Sequence, residues 1–215
     1  VSIGAMVGPE AFTEVRYLAH AKQMQALELI PQLANDFKQV FGRDSGGLVN
    51  AYRLEDAETA VVALGSVLGT IKDTVDDLRD AGHRIGVLGI TSYRPFPLAA
   101  IREALQHAQR VIVVEKCFAV GLGGIVSRDV RMALRNLPQP VFDVVAGLGG
   151  RAITKASLHK LLMDGIADKL EAVTFLDLDW KAVNKELERE RTKRRSGPIA
   201  ENLLRDLGVV AARIG

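Results

Sequence analysis

The sequence predicts an open, mostly parallel β-sheet covered on both faces by helices and followed by a helical tail. Three observations carry this. Short apolar runs alternate with amphipathic stretches between residue 59 and about residue 178. Glycine-bearing turns follow several of those runs. Aromatic residues make up only 5% of the 215 residues, so the core rests on Val, Leu, Ile and Ala, the composition of strands buried on both faces.

The elements follow in order. From Phe12 to Phe41 apolar positions recur at helical spacing, among them Val15, Leu18, Leu27, Ile30, Leu33, Phe37 and Val40. Pro31 is expected to kink or divide that helix, because it removes one backbone donor and crowds the preceding turn. Gly42 and the Asp44-Ser45-Gly46-Gly47 stretch end it. Thr59–Leu64 reads as a buried strand, followed by Gly65-Ser66 and a helix to about Ala81, with Gly82 as its stop. Ile85–Ile90 is a second strand, Leu98–His107 a helix and Arg110–Glu115 a third strand. Gly121-Leu-Gly-Gly124 leads into a helix from Ile125 to about Asn136. Pro140 introduces a fourth strand, Val141–Ala146, and Gly147-Leu-Gly-Gly-Arg151 follows it. Thr154 is a suitable N-cap for a helix reaching Leu170, and Val173–Leu178 fits a short edge strand.

The tail has a different composition. Residues 185–195 (KELERERTKRR) are dense in charge, with Glu188 spaced to meet Thr192 and Glu190 to meet Arg194 one turn on. Ser196-Gly197-Pro198 interrupts, and Ile199 to Ile214 reads as an amphipathic helix that docks on this chain or on a neighbour.

Charge and composition narrow the function classes. A net charge of +2 lacks the basic surplus of a nucleic-acid protein. No apolar run approaches the roughly 20 residues that span a bilayer. The expected partners therefore include neither nucleic acid nor membrane. A single cysteine, Cys117, fits a reducing, cytoplasmic setting and leaves any iron–sulfur ligands to other chains. The opening at Val1 without an initiator Met fits processing or a fragment.

Three glycine turns are the tempting cofactor sites, since a strand–glycine–helix turn can offer backbone N–H groups and a helix dipole to phosphate. None carries the full dinucleotide fingerprint. After Gly121 the third glycine position is Val126; after Gly147 it is Ala152, a permitted variant, but on the fourth strand of the unit rather than the first. There is no Gly-Lys-Ser/Thr triplet. Tight turns and close helix–sheet approach are the preferred reading. His20, His83, His107 and His159 have no metal-ligand spacing. Cys117, next to Lys116, reads as a partly buried inert thiol rather than a reactive one. Asp73, Asp76, Asp77 and Asp80 read as the solvated face of one surface helix.

Several segments, in order, resemble one family: Met6-Val-Gly-Pro-Glu10, Phe12-Thr-Glu-Val-Arg-Tyr17, Phe41-Gly-Arg43, Tyr52-Arg-Leu-Glu-Asp-Ala-Glu58, Ala63-Leu-Gly-Ser66 and Tyr93-Arg-Pro-Phe-Pro97. This series is similar to the C-terminal part of the α subunit of 2-oxoacid:ferredoxin oxidoreductases of the pyruvate synthase type. The resemblance is close over residues 6–100 and looser to about 165. It implies a transketolase C-terminal-like fold over 46–179. Residues 1–45 would then be the end of an N-terminal pyrimidine-binding domain with its connecting helix, and 180–215 a charged helical tail. It also implies oxidative decarboxylation of a 2-oxoacid on thiamine diphosphate with Mg2+, iron–sulfur clusters carrying electrons to ferredoxin, and coenzyme A taking the acyl group. The partners it implies are subunits of beta, gamma and delta types. The activating glutamate and substrate-binding arginine of such enzymes would lie ahead of residue 6, and no Gly-Asp-Gly…Asn diphosphate signature is present. No catalytic, cofactor-binding or metal-binding residue is therefore assigned, and the chain is expected to be inactive and cofactor-free by itself. One departure stands out: where the family shows an Asp-Arg pair and a serine-and-glycine turn, this chain has Glu115-Lys116-Cys117-Phe118. The alternatives are a stand-alone small-molecule or nucleotide-binding module using the glycine turns, and a transketolase- or dehydrogenase-type component that does not use ferredoxin.

Overall fold

The computed structural model describes residues 7–192 and 199–208. They fall into two compact units, one ending at Leu176 and the other starting at Asp177. In the first unit the elements are α1 (Pro9–Phe41), β1 (Val49–Tyr52), β2 (Thr59–Ala63), α2 (Val67–Asp80), β3 (Ile85–Ile90), α3 (Leu98–Leu105), β4 (Arg110–Glu115), α4 (Val126–Ala133), β5 (Val141–Val145), α5 (Lys155–Ile166) and β6 (Val173–Phe175). In the second they are α6 (Trp180–Thr192) and α7 (Ile199–Asp206).

Six strands form one sheet in the order β1-β3-β2-β4-β5-β6. β2 through β6 are parallel, and β1 alone runs antiparallel, against β3. β2 and β3 are buried at every position, as their unbroken apolar runs require. Two cores result. Val62, Leu88 and Val113 pack under α3 and α4 on one face; Val61, Ile112 and Val144 pack under α2 and α5 on the other. The open, mostly parallel sheet with helices on both faces is thus as the sequence predicts.

β4–α4–β5 and β5–α5–β6 step the same way across the sheet, yet α4 and α5 cover opposite faces. The two crossovers therefore have opposite hands, and one of them is the uncommon left-handed form.

Several elements differ from expectation; among them α5 ends at Ile166 rather than reaching Leu170, and β6 ends at Phe175 rather than Leu178. β1 is a four-residue edge strand that no apolar run announces. α1 runs undivided across Pro31 to its αL cap at Gly42, whose N–H bonds Lys38 O at 2.9 Å. α4 ends at Ala133, short of Asn136; there Arg102 reaches across to the carbonyls of Ala133 and Arg135, at 3.0 and 2.9 Å. Two signals hold as read. Thr154 caps α5 by accepting from Ser157 N at 3.1 Å. After α2, Gly82 N bonds Arg79 O and His83 N bonds Leu78 O, the paired closure expected of a glycine stop.

In the second unit, Asp179 caps α6 by accepting from Ala182 N. Asp206 of α7 receives Lys185 at 2.8 Å and Arg189 at 2.9 Å from α6. The final helix thus docks on this chain's own tail. The side chain of Thr192, Arg194 and residues 209–215 lie outside the described residues, so the pairs expected of Glu188 and Glu190 do too.

Candidate functional site

The chemistry-bearing turns gather at the carboxyl edge of the sheet. β2 leaves through Gly65-Ser66 to the face of α2, β4 through residues 116–124 to the face of α4, and β5 through Gly147–Ile153 to the face of α5. Loops that leave neighbouring strands toward opposite faces open a crevice between them, the usual place for a ligand in such sheets.

The turn after β4 is already occupied by the protein itself. Glu115, the last residue of β4 and 3% exposed, accepts N–H bonds from Ile125, Val126 and Ser127, each at 2.8 Å. These are the orphan donors of the first turn of α4, so the carboxylate stands where a phosphate would bind. Asp143, in the middle of β5 and 1% exposed, accepts from Gly124 N. A Cβ at Gly124 would run into the Glu115 and Asp143 carboxylates, so this glycine is fixed by close approach. The second carboxylate oxygen of Asp143 and the hydroxyl of Ser127 are buried with no hydrogen-bond partner in the structure. Of this cluster, Glu115 and Asp143 escape a motif-based reading. Their signal is an acid placed inside or at the end of an apolar strand.

The Tyr93-Arg-Pro-Phe-Pro97 segment forms a second polar cluster at this edge. Tyr93 Oη donates to Asp129 of α4 at 2.7 Å, and Arg94 reaches the same carboxylate at 2.7 Å. The Arg94 guanidinium lies 4.0 Å from the centre of the Tyr93 ring, and Phe96 meets Tyr93 edge-on beneath. The Arg94–Pro95 bond is cis. Burial first, and then the Asp129 carboxylate, push the Tyr93 phenol up to about 12. The motif thus ties the exit of β3 to the start of α4.

Other sequence candidates separate. Cys117 is exposed rather than partly buried, because β4 ends at Glu115 and the loop turns outward. The acidic helix is more than a solvated face: Asp76 takes the Tyr52 hydroxyl and the Arg53 guanidinium, and Asp77 takes Lys155 of α5. Among the described residues no group of three His, Cys, Asp or Glu could hold a metal ion. No helix among them is long and apolar enough to cross a membrane.

A cavity of about 510 Å³ lies at the opposite, amino edge of the strands, between Leu54–Glu58 and α3. A smaller one of about 250 Å³ opens at the carboxyl edge between Ser66 at the exit of β2 and Lys116 at the exit of β4.

Comparison with known proteins agrees with the sequence pattern. Residues 57–158 match the family model described as pyruvate:ferredoxin oxidoreductase core domain II. The pyruvate synthase subunit PorA of Methanosarcina barkeri is 39% identical over 164 residues, covering 75% of this chain and 41% of that protein. The ketoisovalerate oxidoreductase subunit VorA of Pyrococcus horikoshii is 30% identical over 166 residues, covering 76% and 42%. A solved chain described as a split gene transketolase, inactive beta4 tetramer, superposes at TM-score 0.44 and 18% identity over 54% of this chain and 40% of its own. The chain spans less than half the length of these curated relatives. On the family-model match and the curated relatives, the chain belongs to the 2-oxoacid:ferredoxin oxidoreductase subunit family of the pyruvate synthase type.

Proposed function

We propose that this chain is part of the α-type subunit of a thiamine diphosphate-dependent 2-oxoacid:ferredoxin oxidoreductase, and that it scaffolds contacts between the parts of that enzyme. The reaction would convert a 2-oxoacid, coenzyme A and two oxidised ferredoxins into an acyl-CoA, carbon dioxide, a proton and two reduced ferredoxins. The observation that carries the reading is the core domain II match over residues 57–158, flanked by a helix built for contact. None of the 33 residues of α1 is buried. Val15, Leu18, Leu29, Leu33 and Val40 are exposed and share an arc of about 60° at 100° per residue. Such a stripe is the signature of a surface made to be covered. Residues 1–45 are accordingly read as the end of a preceding pyrimidine-binding domain with its connecting helix.

The residues present do not fit thiamine diphosphate or its Mg2+. The glycine turn after β4 has its helix N–H groups taken by Glu115, and among the described residues no acidic metal-binding cluster stands beside it. Those groups, and the iron–sulfur clusters, are assigned to the remainder of the subunit and to its beta-, gamma- and delta-type partners. Catalysis by this chain alone is not expected. The compartment proposed is the cytoplasm. Relatives named for pyruvate and for ketoisovalerate leave the 2-oxoacid to be measured.

The test is purification of the full-length protein from its native source, with mass spectrometry of the accompanying chains. Companion chains and CoA-dependent reduction of ferredoxin by a 2-oxoacid are expected. A solitary, stable chain with no such activity in any fraction sinks the reading.

A further inference from the structure

We propose that the strip running from the loop after β4 along the outer side of α4 docks on a companion subunit, against an apolar hollow rimmed by carboxylates. The inference rests on the oxidoreductase-subunit reading and names a contact surface within it. The loop is closed on itself: Ala119 N donates to Gly123 O at 2.8 Å, and Gly123 N donates to Ala119 O at 3.0 Å. Its root is fixed as well. Phe118 meets Phe175 of β6 edge-on at 5.1 Å, and Gly124 N is held by Asp143. On this mount Val120 stands 90% exposed and Leu122 62%. Apolar side chains at the tip of a hydrogen-bonded loop are already ordered, so docking them costs little conformational entropy.

The strip continues on α4. Ile125 and Met132 are both exposed and stand about two helical turns apart, on one line along the helix. The buried side of α4, with Val126, Val130 and Ala133, already faces the sheet. What remains outside is an apolar line with arginine beside it, a composition enriched where proteins meet.

Charge selects the chemistry of the partner. Residues 116–135 carry Lys116, Arg128, Arg131 and Arg135 against one acid, Asp129, which Tyr93 and Arg94 already occupy. In a chain of net charge only +2, so cationic a segment is complementary to a face that bears carboxylates. A bilayer is a poorer match. Arg128 gives its Nε to Gly124 O and Arg131 an N–H to Val141 O, which leaves fewer free cations than the roughly four to eight that hold an anionic membrane. Relatives named as subunits make a companion chain the occupant.

The test uses the native multi-subunit protein, or the full-length chain coexpressed with its companions. Carbodiimide joins an ammonium to a carboxylate without a spacer. It should link Lys116 to an Asp or Glu of a companion chain, read as a crosslinked peptide pair by mass spectrometry. Cys117, exposed in this chain, serves as a footprint beside it. In the intact assembly its alkylation by N-ethylmaleimide should be at least about tenfold slower than after Leu122→Asp, and Lys116→Glu should also speed it. Lys169→Glu, in the α5–β6 turn at the opposite edge of the sheet, should change neither readout. Matched melting curves separate lost docking from lost fold. The proposal is overturned if Cys117 in the intact assembly reacts as fast as in Leu122→Asp, or if Lys116 crosslinks to no companion chain. Flotation with phosphatidylserine vesicles that Leu122→Asp abolishes overturns it in favour of a membrane. A preparation without companion chains sinks the oxidoreductase reading as well, whereas companions bound with Cys117 unprotected sink this inference alone.

Discussion

The same tetrapeptide, Gly-Leu-Gly-Gly, occurs twice in this chain, at 121–124 after β4 and at 147–150 after β5, and the two copies do opposite things. The first is closed around two buried carboxylates, Glu115 and Asp143, that take the N–H groups of Gly124 and of the start of α4. The second leaves room for Lys116 to cross it and borders a cavity without acidic lining. A glycine turn is thus only a permission for backbone to come close. The side chains arriving from neighbouring strands decide whether that closeness is used internally or left open.

The comparison breaks most easily at Gly124. Gly124→Ala drives a methyl group into both carboxylates and should cost at least about 3 kcal/mol, lowering Tm by roughly 6–12 °C. Gly149→Ala, in open space but at φ +63, should cost only about 1 kcal/mol. Equal melting temperatures for the two variants would erase the distinction. Next comes Glu115→Gln, which keeps the shape but removes the charge facing three N–H groups. A loss of about 1.5–3 kcal/mol in denaturant unfolding is expected, and a neutral result would mean that α4 needs no anion.

Tyr93→Phe should cost about 1 kcal/mol, since it deletes one hydrogen bond to Asp129. Its sharper signature is pH. A phenol whose folded value is raised stabilises fully below its unfolded value near 10, and that contribution is lost as pH rises toward about 12. Ultraviolet titration of the wild type should show a late phenolate step that Tyr93→Phe removes. The smallest effect belongs to the tail. Lys185, hydrogen-bonded to the Asp206 carboxyl, is the first cause holding it below 3.8. The contribution of that contact is present at neutral pH and lost as pH falls through that value and below. Asp206→Asn should leave the main calorimetric transition unmoved while abolishing that acid-dependent step in the tail's hydrogen exchange.

β2, β3, β4 and β5 were legible because short, mostly apolar segments of five or six residues, rich in Val and Ile, have little else to become in a chain punctuated by glycine. β1 was not: Val49–Tyr52 is short, half-exposed, and made a strand only by pairing with β3. The undivided α1 shows that one proline can be carried inside an otherwise continuous helix. At the site, the glycine turns themselves could be read, but not their occupants. Glu115 serves N–H groups ten to twelve residues away, and Asp143 serves one nineteen residues away on another turn. Lys116 gains its position from a glycine thirty-one residues further along the chain. Such relations exist only once β4 and β5 lie side by side.

The undivided α1 also carries a length. At 1.5 Å per residue its 33 residues form a rod of about 50 Å, more than twice the ~20 Å of a six-residue strand. A rod that long works as a spacer, fixing the separation of whatever grips its two ends. Unclad in dilute solution it is also a liability, since Phe12, Leu18, Leu33 and Phe41 stand in water. The chain made in isolation should therefore be sticky and concentration-limited, and coexpression with the surface that covers α1 should improve its yield.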